Sequence, residues 1–182
     1  MISNEYKETL TKIHDKTKFG KRRKLPDYLE QFIHDNDPES ILDFGCGKGN
    51  LVTALTEKYS NKKIYGYDPA NRDYDNPLFL VDMIISTDVL EHVEPLYLDK
   101  TLQEIYNNSN MIYHLISCAP AKLILPDGRN AHLIQETPDW WRSKFKGLGY
   151  NIIKEDYREF SKFSKQLNRN LPVKNYIIMA EK

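Results

Sequence analysis

Short apolar runs alternate with longer amphipathic segments along most of this chain. Runs rich in β-branched and aromatic residues, bounded by turn residues, predict buried strands at 41–44, 63–67, 83–87 and 111–117. Between them, apolar side chains recur at helical spacing from Asn50 to Tyr59 and from Pro95 onward. Strands that alternate with helices predict an α/β fold: a doubly wound, mostly parallel sheet with helices on both faces.

The two ends of the chain carry further predicted elements. Helices are expected over residues 5–14 and from Pro26, and the Thr137-Pro138 pair predicts the capped start of a helix that reaches Gly147. The last predicted strands, 150–154 and 175–180, have no clear helix between them and could pair antiparallel at one edge of the sheet. We therefore divide the chain into an N-terminal helical extension, 1–39, and a core, 40–182.

Composition narrows the class of protein. The 182 residues suit one domain, and 26 basic against 26 acidic side chains argue against a dedicated nucleic-acid binder. Two cysteines, Cys46 and Cys118, make no disulfide framework and indicate a reducing compartment. The polar N-terminus and short apolar runs predict neither a secretory signal nor a membrane span, so we expect a cytoplasmic protein that does not bind membranes.

The most informative stretch runs from Ile41 to Asn50, an apolar strand that ends in Asp43 and opens into glycines at alternate positions. Glycine accepts positive φ and lets a ligand lie against the backbone, and the following helix directs free N–H groups to the same place. The third glycine, Gly49, comes one residue too early for a dinucleotide-binding turn, and a phosphate-binding loop would need Gly-Lys-Ser/Thr. An ordinary glycine-rich turn is the alternative.

Three more segments complete a recognisable pattern. Asp68 ends the second predicted strand, residues 88–93 read Asp-Val-Leu-Glu-His-Val after the third, and residues 132–138 contain His-Leu and Thr-Pro. Together with the D-x-G-x-G-x-G turn, these segments resemble the class I S-adenosylmethionine-dependent methyltransferases. The particular likeness is to the small-molecule type that includes the ubiquinone-biosynthesis enzymes.

The resemblance implies a cofactor and its binding residues. S-adenosylmethionine would lie on the glycine turn and leave as S-adenosylhomocysteine, with Asp43 orienting its amino group and Asp68 holding its ribose. The implied cofactor residues are Asp43, Gly45, Cys46, Gly47, Gly49, Asp68, Pro69, Asp88 and Val89. A turn-capping role for Asp68 is the structural alternative.

Catalytic and acceptor-binding residues follow from the same resemblance. His92 is the first candidate general base and His132 the second, since an imidazole titrates near neutrality. Glu91 and His92 could instead orient their loop. Candidate contacts to a small, polar or anionic acceptor are Arg129, Asn130 and Trp140; a solvated loop and a core tryptophan are the alternatives.

The segment before the first strand carries a basic run of Lys18, Lys21, Arg22, Arg23 and Lys24. In the family such segments often cover the site as a lid, and this run could hold an acidic substrate. A solvated, flexible face is the alternative.

One departure from the family stands out. Only the 13 residues 69–81 separate Asp68 from the next strand, too few for a helix and a third strand, so the sheet is expected to be shortened there. Asp73, Asp75 or Asp82 could replace the missing adenine contact, or a second subunit or partner protein could complete the adenine side. The alternatives to a methyltransferase are therefore a non-catalytic cofactor-binding module acting through a partner, and an aminopropyl transferase.

No metal site is expected from the sequence. It contains no cluster of cysteines and histidines at zinc-binding spacing, although its scattered carboxylates leave Mg²⁺ open.

Overall fold

Six strands form one mixed sheet in the computed structural model, which describes residues 2–16, 24–164 and 169–182. The strands are β1 (Ser40–Phe44), β2 (Lys63–Tyr67), β3 (Val81–Thr87), β4 (Ser109–Ser117), β5 (Asn151–Ser164) and β6 (Arg169–Glu181). Their order is β2-β1-β3-β4-β6-β5, with the first four parallel and β6 antiparallel to both β4 and β5. The predicted mostly parallel sheet with an antiparallel edge is confirmed.

Five helices connect or flank these strands in the described part of the chain. They are α1 (Asn4–Lys16), α2 (Asp27–Asn36), α3 (Asn50–Lys58), α4 (Pro95–Asn108) and α5 (Pro138–Gly147), with a 3₁₀ turn at Leu90–His92. The cap predicted for α5 is confirmed, because the Thr137 side chain accepts a hydrogen bond from Trp140 N. No helix among the described residues has the length and apolar character needed to cross a membrane.

Helices cover both faces of the sheet because neighbouring strand residues point to opposite sides. On one face, α2 and α3 pack against the inward side chains of the central strands; that cluster includes Leu29, Ile33, Leu51, Leu55, Ile41, Met83 and Ile85. On the other, α4 and α5 do the same; that cluster includes Leu98, Leu102, Trp141, Phe145, Leu42, Ile84 and Ile112. The predicted doubly wound arrangement is confirmed.

The sheet agrees with the sequence expectation at the β2 edge and differs from it at the β5 edge. Beyond β2 no described residue forms another strand, and the chain from Asp68 to Leu80 is a loop, so the predicted shortening is confirmed. β5 and β6 are much longer than the predicted 150–154 and 175–180, because they pair with each other as far as Ser164 and Arg169. This extension leaves most of β5 exposed, so it lacks the apolar alternation that marks a half-buried strand.

The two N-terminal helices pack in different places. α2 belongs to the sheet core, whereas Tyr6 and Ile13 of α1 pack against Leu125 and Ala131 in the loop after β4. The predicted lid residues Lys18 to Arg23 lie outside the described residues. The division of the chain at residue 39 therefore stays a prediction.

Candidate active site

The candidate site lies where the strand order reverses. From β1 the chain crosses to β2 on one side and then to β3 on the other, so the loops after β1 and β3 diverge at the carboxyl edge of the sheet. In open α/β sheets such a switch point forms the ligand-binding crevice. The glycine turn after β1 and the segment that starts at Asp88 after β3 both lie here.

The turn after β1 adopts the conformation that its glycines allow. Gly45, Gly47 and Gly49 have φ values of 73°, 56° and 71°, in the left-handed region that side chains disfavour. A Cβ on Gly45 would lie 2.3 Å from Cγ1 of Val89, so the absence of a side chain also lets the two loops touch. The N–H groups of Gly45 and Cys46 donate to Tyr67 O at 2.7 and 3.0 Å, which fixes the turn to the end of β2.

Asp68 holds this turn from the other side. Its carboxylate, 6% exposed, accepts a hydrogen bond from Gly47 N at 2.8 Å and another from Ala70 N at 2.8 Å. Asn71 adds a bond from its side-chain amide to Gly47 O at 2.6 Å. The turn-capping alternative is therefore realised. Each carboxylate oxygen has a second lone pair, so ribose binding stays a prediction alongside it.

The other cofactor candidates near the turn are buried. Asp43, at the penultimate position of β1, is 2% exposed. Burial raises the pKa of the Cys46 thiol, and the nearby carboxylates of Asp43 and Asp68 raise it further. Because its thiol stays protonated at neutral pH, Cys46 can contribute packing but no thiolate nucleophile. Pro69 follows Asp68 in the loop and is partly exposed.

Tyr74 lies over the glycine turn and the adjoining end of β2. A Cβ on Gly49 would lie 2.1 Å from the Tyr74 hydroxyl oxygen, and one on Gly66 would lie 2.7 Å from its Cδ1 atom. The loop keeps the ring there through hydrogen bonds from Asp68 N to Tyr74 O and from Tyr74 N to Asn71 O. Sequence reasoning missed Tyr74, because nothing local distinguishes it from the other tyrosines.

The three aspartates considered for the adenine contact occupy different positions. Asp82 accepts hydrogen bonds from Ser40 N and Oγ at the amino-terminal edge of the sheet, away from the crevice, so it does not serve this role. Asp75 pairs with Lys7 of α1, and Asp73 is exposed in the loop.

The segment after β3 begins with an unusual backbone conformation. Asp88 has a φ of 57°, uncommon for a residue with a side chain, and its N–H donates to Leu115 O at 2.9 Å. Glu91 is fully buried and accepts a hydrogen bond from Ser117 N at 3.0 Å, while its backbone oxygen accepts one from Ile134 N. Glu91 thus ties the ends of β3 and β4 together, the loop-orienting role that the sequence left open.

The two candidate bases face each other. The His92 and His132 ring centroids are 4.7 Å apart with the rings nearly perpendicular. His92 Nδ1 lies 2.7 Å from Ala131 O and His132 Nδ1 lies 2.5 Å from Ala119 O. Since a carbonyl oxygen only accepts, both Nδ1 atoms carry the proton, and in a neutral ring Nε2 keeps its lone pair. Burial lowers the pKa of His132, which favours its neutral form.

A cavity of about 300 Å³ opens beside these histidines. Its walls come from the loop after β4 and from the start of β6; they include Lys122, Leu123, Leu171, Pro172 and Val173. Sequence reasoning missed the residues from β6, because that strand was expected to begin only at residue 175.

The predicted acceptor contacts do not line this cavity. Arg129 pairs with Asp127, and its guanidinium carbon lies 5.8 Å from the Tyr6 ring centroid. The Asn130 side chain binds backbone groups of Ala121 at 2.9 Å and so orders its own loop. Trp140 packs partly buried against the core on α5. Their role in acceptor binding stays a prediction.

A family model described as a methyltransferase domain matches residues 18–156. Because this match covers more than half of the chain, the protein belongs to the methyltransferase domain family. The prediction of a class I S-adenosylmethionine-dependent methyltransferase is confirmed, whereas the likeness to ubiquinone-biosynthesis enzymes stays a prediction. No curated protein matches the chain.

Solved structures with this fold share little sequence with the chain. TehB from Haemophilus influenzae matches with a TM-score of 0.65 and 15% identity over 87% of this chain and 62% of TehB, so the chain spans less than two thirds of that protein. A SAM-dependent methyltransferase from Methanosarcina mazei matches with a TM-score of 0.62 and 15% identity over 83% of this chain and 96% of that protein. Magnesium protoporphyrin IX methyltransferase from Synechocystis, with bound SAH, matches with a TM-score of 0.55 and 15% identity over 86% of this chain and 81% of that protein. These likenesses confirm the class I methyltransferase fold.

Proposed function

We propose that this protein transfers a methyl group from S-adenosylmethionine to a small, polar or anionic acceptor. The observation that carries the proposal is the turn of three left-handed glycines in the switch-point crevice of a methyltransferase fold. The residues present fit the cofactor: α3 starts without a side-chain hydrogen bond to its first turn, so backbone N–H groups remain for a ligand. The buried Asp43 carboxylate at the end of β1 suits the cofactor's amino group.

In this proposal the protein mainly binds the cofactor, orients the acceptor towards it and shields both from water. When bound, S-adenosylmethionine supplies a methyl group on a positively charged sulfur. Gly45, Gly47 and Gly49 hold its methionine end, Asp68 meets its ribose, and Asp88 and Val89 line the crevice across from the turn. α1 and the residue before it span three loops. Thr11 Oγ1 donates to Ala70 O after β2 at 3.0 Å, Ser3 N and Oγ donate to Glu94 at 2.7 and 2.9 Å, and Tyr6 packs on the loop after β4. Positioning and exclusion of water are the contributions expected from such a cover.

The acceptor belongs in the cavity beside the histidines. Lys122 gives its lining a positive charge, while Leu123, Leu171 and Val173 give apolar walls, which suits a small acceptor with an anionic or polar group. A neutral imidazole at His92, or at His132, can take a proton from the acceptor through Nε2. Outside this cavity, further contacts to the acceptor would come from Arg129, Asn130 and Trp140. A second subunit or partner protein could complete the adenine side of the cofactor site.

Label transfer tests this function and its alternatives together. The protein is incubated with S-adenosylmethionine labelled in the methyl carbon, or in the aminopropyl chain, and a panel of small anionic and hydroxylated acceptors. We expect transfer of the methyl label only, with formation of S-adenosylhomocysteine. His92→Gln should lower kcat by about 10²-fold or more without changing S-adenosylhomocysteine affinity.

Two results would contradict the proposal. Transfer of the aminopropyl label would identify an aminopropyl transferase. Tight S-adenosylhomocysteine binding without transfer to any acceptor would favour the non-catalytic binding module.

A further inference from the structure

We propose that Glu91, His92 and His132 form a binding site for a divalent first-row transition metal ion. One donor atom from each side chain lies within 4.8 Å of the other two. Bonds to zinc of about 2.0–2.2 Å place donors in a tetrahedron about 3.4 Å apart, so modest side-chain rotation closes the set around an ion.

Both histidines are already held in the form that binds metals. Their Nδ1–H groups donate to the backbone oxygens of Ala131 and Ala119, so it is Nε2 that presents a lone pair. Metal-binding histidines in proteins are typically fixed in this way, with the second ring nitrogen bound to a carbonyl or carboxylate. Because the acceptors are backbone atoms, the orientation of the rings depends on the loop rather than on any replaceable side chain.

Charge favours a cation at this place. The fully buried Glu91 carboxylate is oriented by the Ser117 N–H at 3.0 Å, and the negative charge of Asp88 acts on His132 as well. Lys122 lines the adjoining cavity and opposes a cation from that side. A bound cation would offset the cost of burying the Glu91 carboxylate, because a buried charge is stabilised by an opposite charge beside it.

The donor set indicates the kind of ion. Two imidazole nitrogens and one carboxylate oxygen suit Zn²⁺, Fe²⁺, Mn²⁺ or Co²⁺, whereas Mg²⁺ and Ca²⁺ prefer oxygen donors. Three protein ligands leave at least one coordination position open, as in catalytic rather than structural metal sites.

The adjoining cavity gives that open position a use. An acceptor hydroxyl bound there would lose its proton to solvent water more readily, because a bound cation lowers the pKa of its oxygen ligand. This last role rests on the proposed methyl transfer; metal binding itself does not. In the metal-bound form the imidazoles act as ligands and the ion acidifies the acceptor.

Cobalt binding tests the site directly. The full-length protein is stripped with a chelator and titrated with Co²⁺, whose visible absorption intensifies when histidine nitrogens replace water, followed by competition with Zn²⁺. We expect one ion per chain. His132→Gln and Glu91→Gln should each weaken binding at least about tenfold.

His34→Gln serves as the matched control, because this histidine on α2 has an 82% exposed side chain far from the cluster in sequence. It should bind Co²⁺ like the wild type. If Glu91→Gln fails to fold, His92→Gln replaces it. Failure to bind one Co²⁺ at millimolar metal, or equal binding by wild type and folded His132→Gln, would overturn the proposal. Label transfer without metal binding would refute this site alone, and metal binding without label transfer would refute the proposed function alone.

Discussion

At the scale of single residues, Asp68 illustrates how one carboxylate can serve the fold and a ligand at once. Its two oxygens already accept hydrogen bonds from Gly47 N and Ala70 N. Hydrogen bonds to charged groups contribute about 1.5–3 kcal/mol each to stability. Replacing Asp68 by alanine would therefore disturb the glycine turn as well as any ribose contact, so loss of binding in that variant would not separate the two roles.

Tyr74 offers a sharper test at the same scale. Its ring lies against Gly49 and Gly66, so it supports the glycine turn from the side of β2. We expect Tyr74→Ala to loosen the turn and weaken S-adenosylhomocysteine binding about tenfold, a loss of about 1.4 kcal/mol. Tyr74→Phe keeps the ring and should bind like the wild type. Calorimetric titration measures both affinities.

The opposite result has a clear meaning. If Tyr74→Ala bound the ligand more tightly than the wild type, the ring would be an obstacle that the cofactor displaces rather than a support for the turn.

At the scale of elements, α1 is the feature with the most direct bearing on the site. It is absent from both clusters that hold the sheet and its helices together, and it packs instead on the loop after β4. Its polar contacts reach Ala70 after β2 and Glu94 after the 3₁₀ turn. A helix whose described contacts are with loops can open without disrupting the core, which is the behaviour a cover over the site requires.

Tyr6→Ala tests this view, because Tyr6 is the largest buried side chain of the cluster beneath α1, with 2% of its surface exposed. We expect faster hydrogen exchange in residues 2–16 and 119–134, faster release of S-adenosylhomocysteine, and nearly unchanged exchange in β1, β3 and β4. Tyr157→Ala, at an exposed tyrosine on β5, is the matched control and should alter none of these. Uniformly faster exchange throughout the sheet would show that α1 belongs to the core.

Elements with their own local signal could be predicted from the sequence. β2 and the start of α5 lie where turn residues and the Thr137-Pro138 pair placed them. The full lengths of β5 and β6 could not be predicted from the sequence, because their outer parts pair with each other away from the core and carry no apolar alternation. Whether a strand continues in that situation depends on its partner rather than on its own side chains.

The same distinction applies to the site. The residues proposed for the cofactor fall in contiguous motifs whose glycine spacing limits what the backbone can do. His92 and His132 were each predicted as candidate bases, but their meeting with Glu91 was not, because two loops about 40 residues apart bring the three together. Tyr74 was missed because nothing local distinguishes it from the other tyrosines. Spacing rules for metal ligands detect only ligands that are close in sequence. They could not have revealed this cluster, and the expectation of no metal site stays a prediction.

For the whole molecule, the sheet keeps the features that a methyltransferase needs and omits one that the family usually has. The switch point between β1 and β3 and the helices on both faces are present, while the chain from Asp68 to Leu80, after β2, is a loop. Methyl transfer by this protein therefore requires that the glycine turn binds the cofactor although no strand lies beyond β2 in the described residues.

A calorimetric titration with S-adenosylhomocysteine tests that claim most directly, using Gly45→Ala against Gly147→Ala. A methyl group at Gly45 would overlap Val89 in the left-handed turn, whereas one at Gly147 meets nothing within 4 Å. We expect the wild type and Gly147→Ala to bind S-adenosylhomocysteine, and folded Gly45→Ala to bind it at least about tenfold more weakly, a loss of about 1.4 kcal/mol. Absence of binding to the wild type at millimolar ligand, or equal affinity in all three proteins, would contradict that claim.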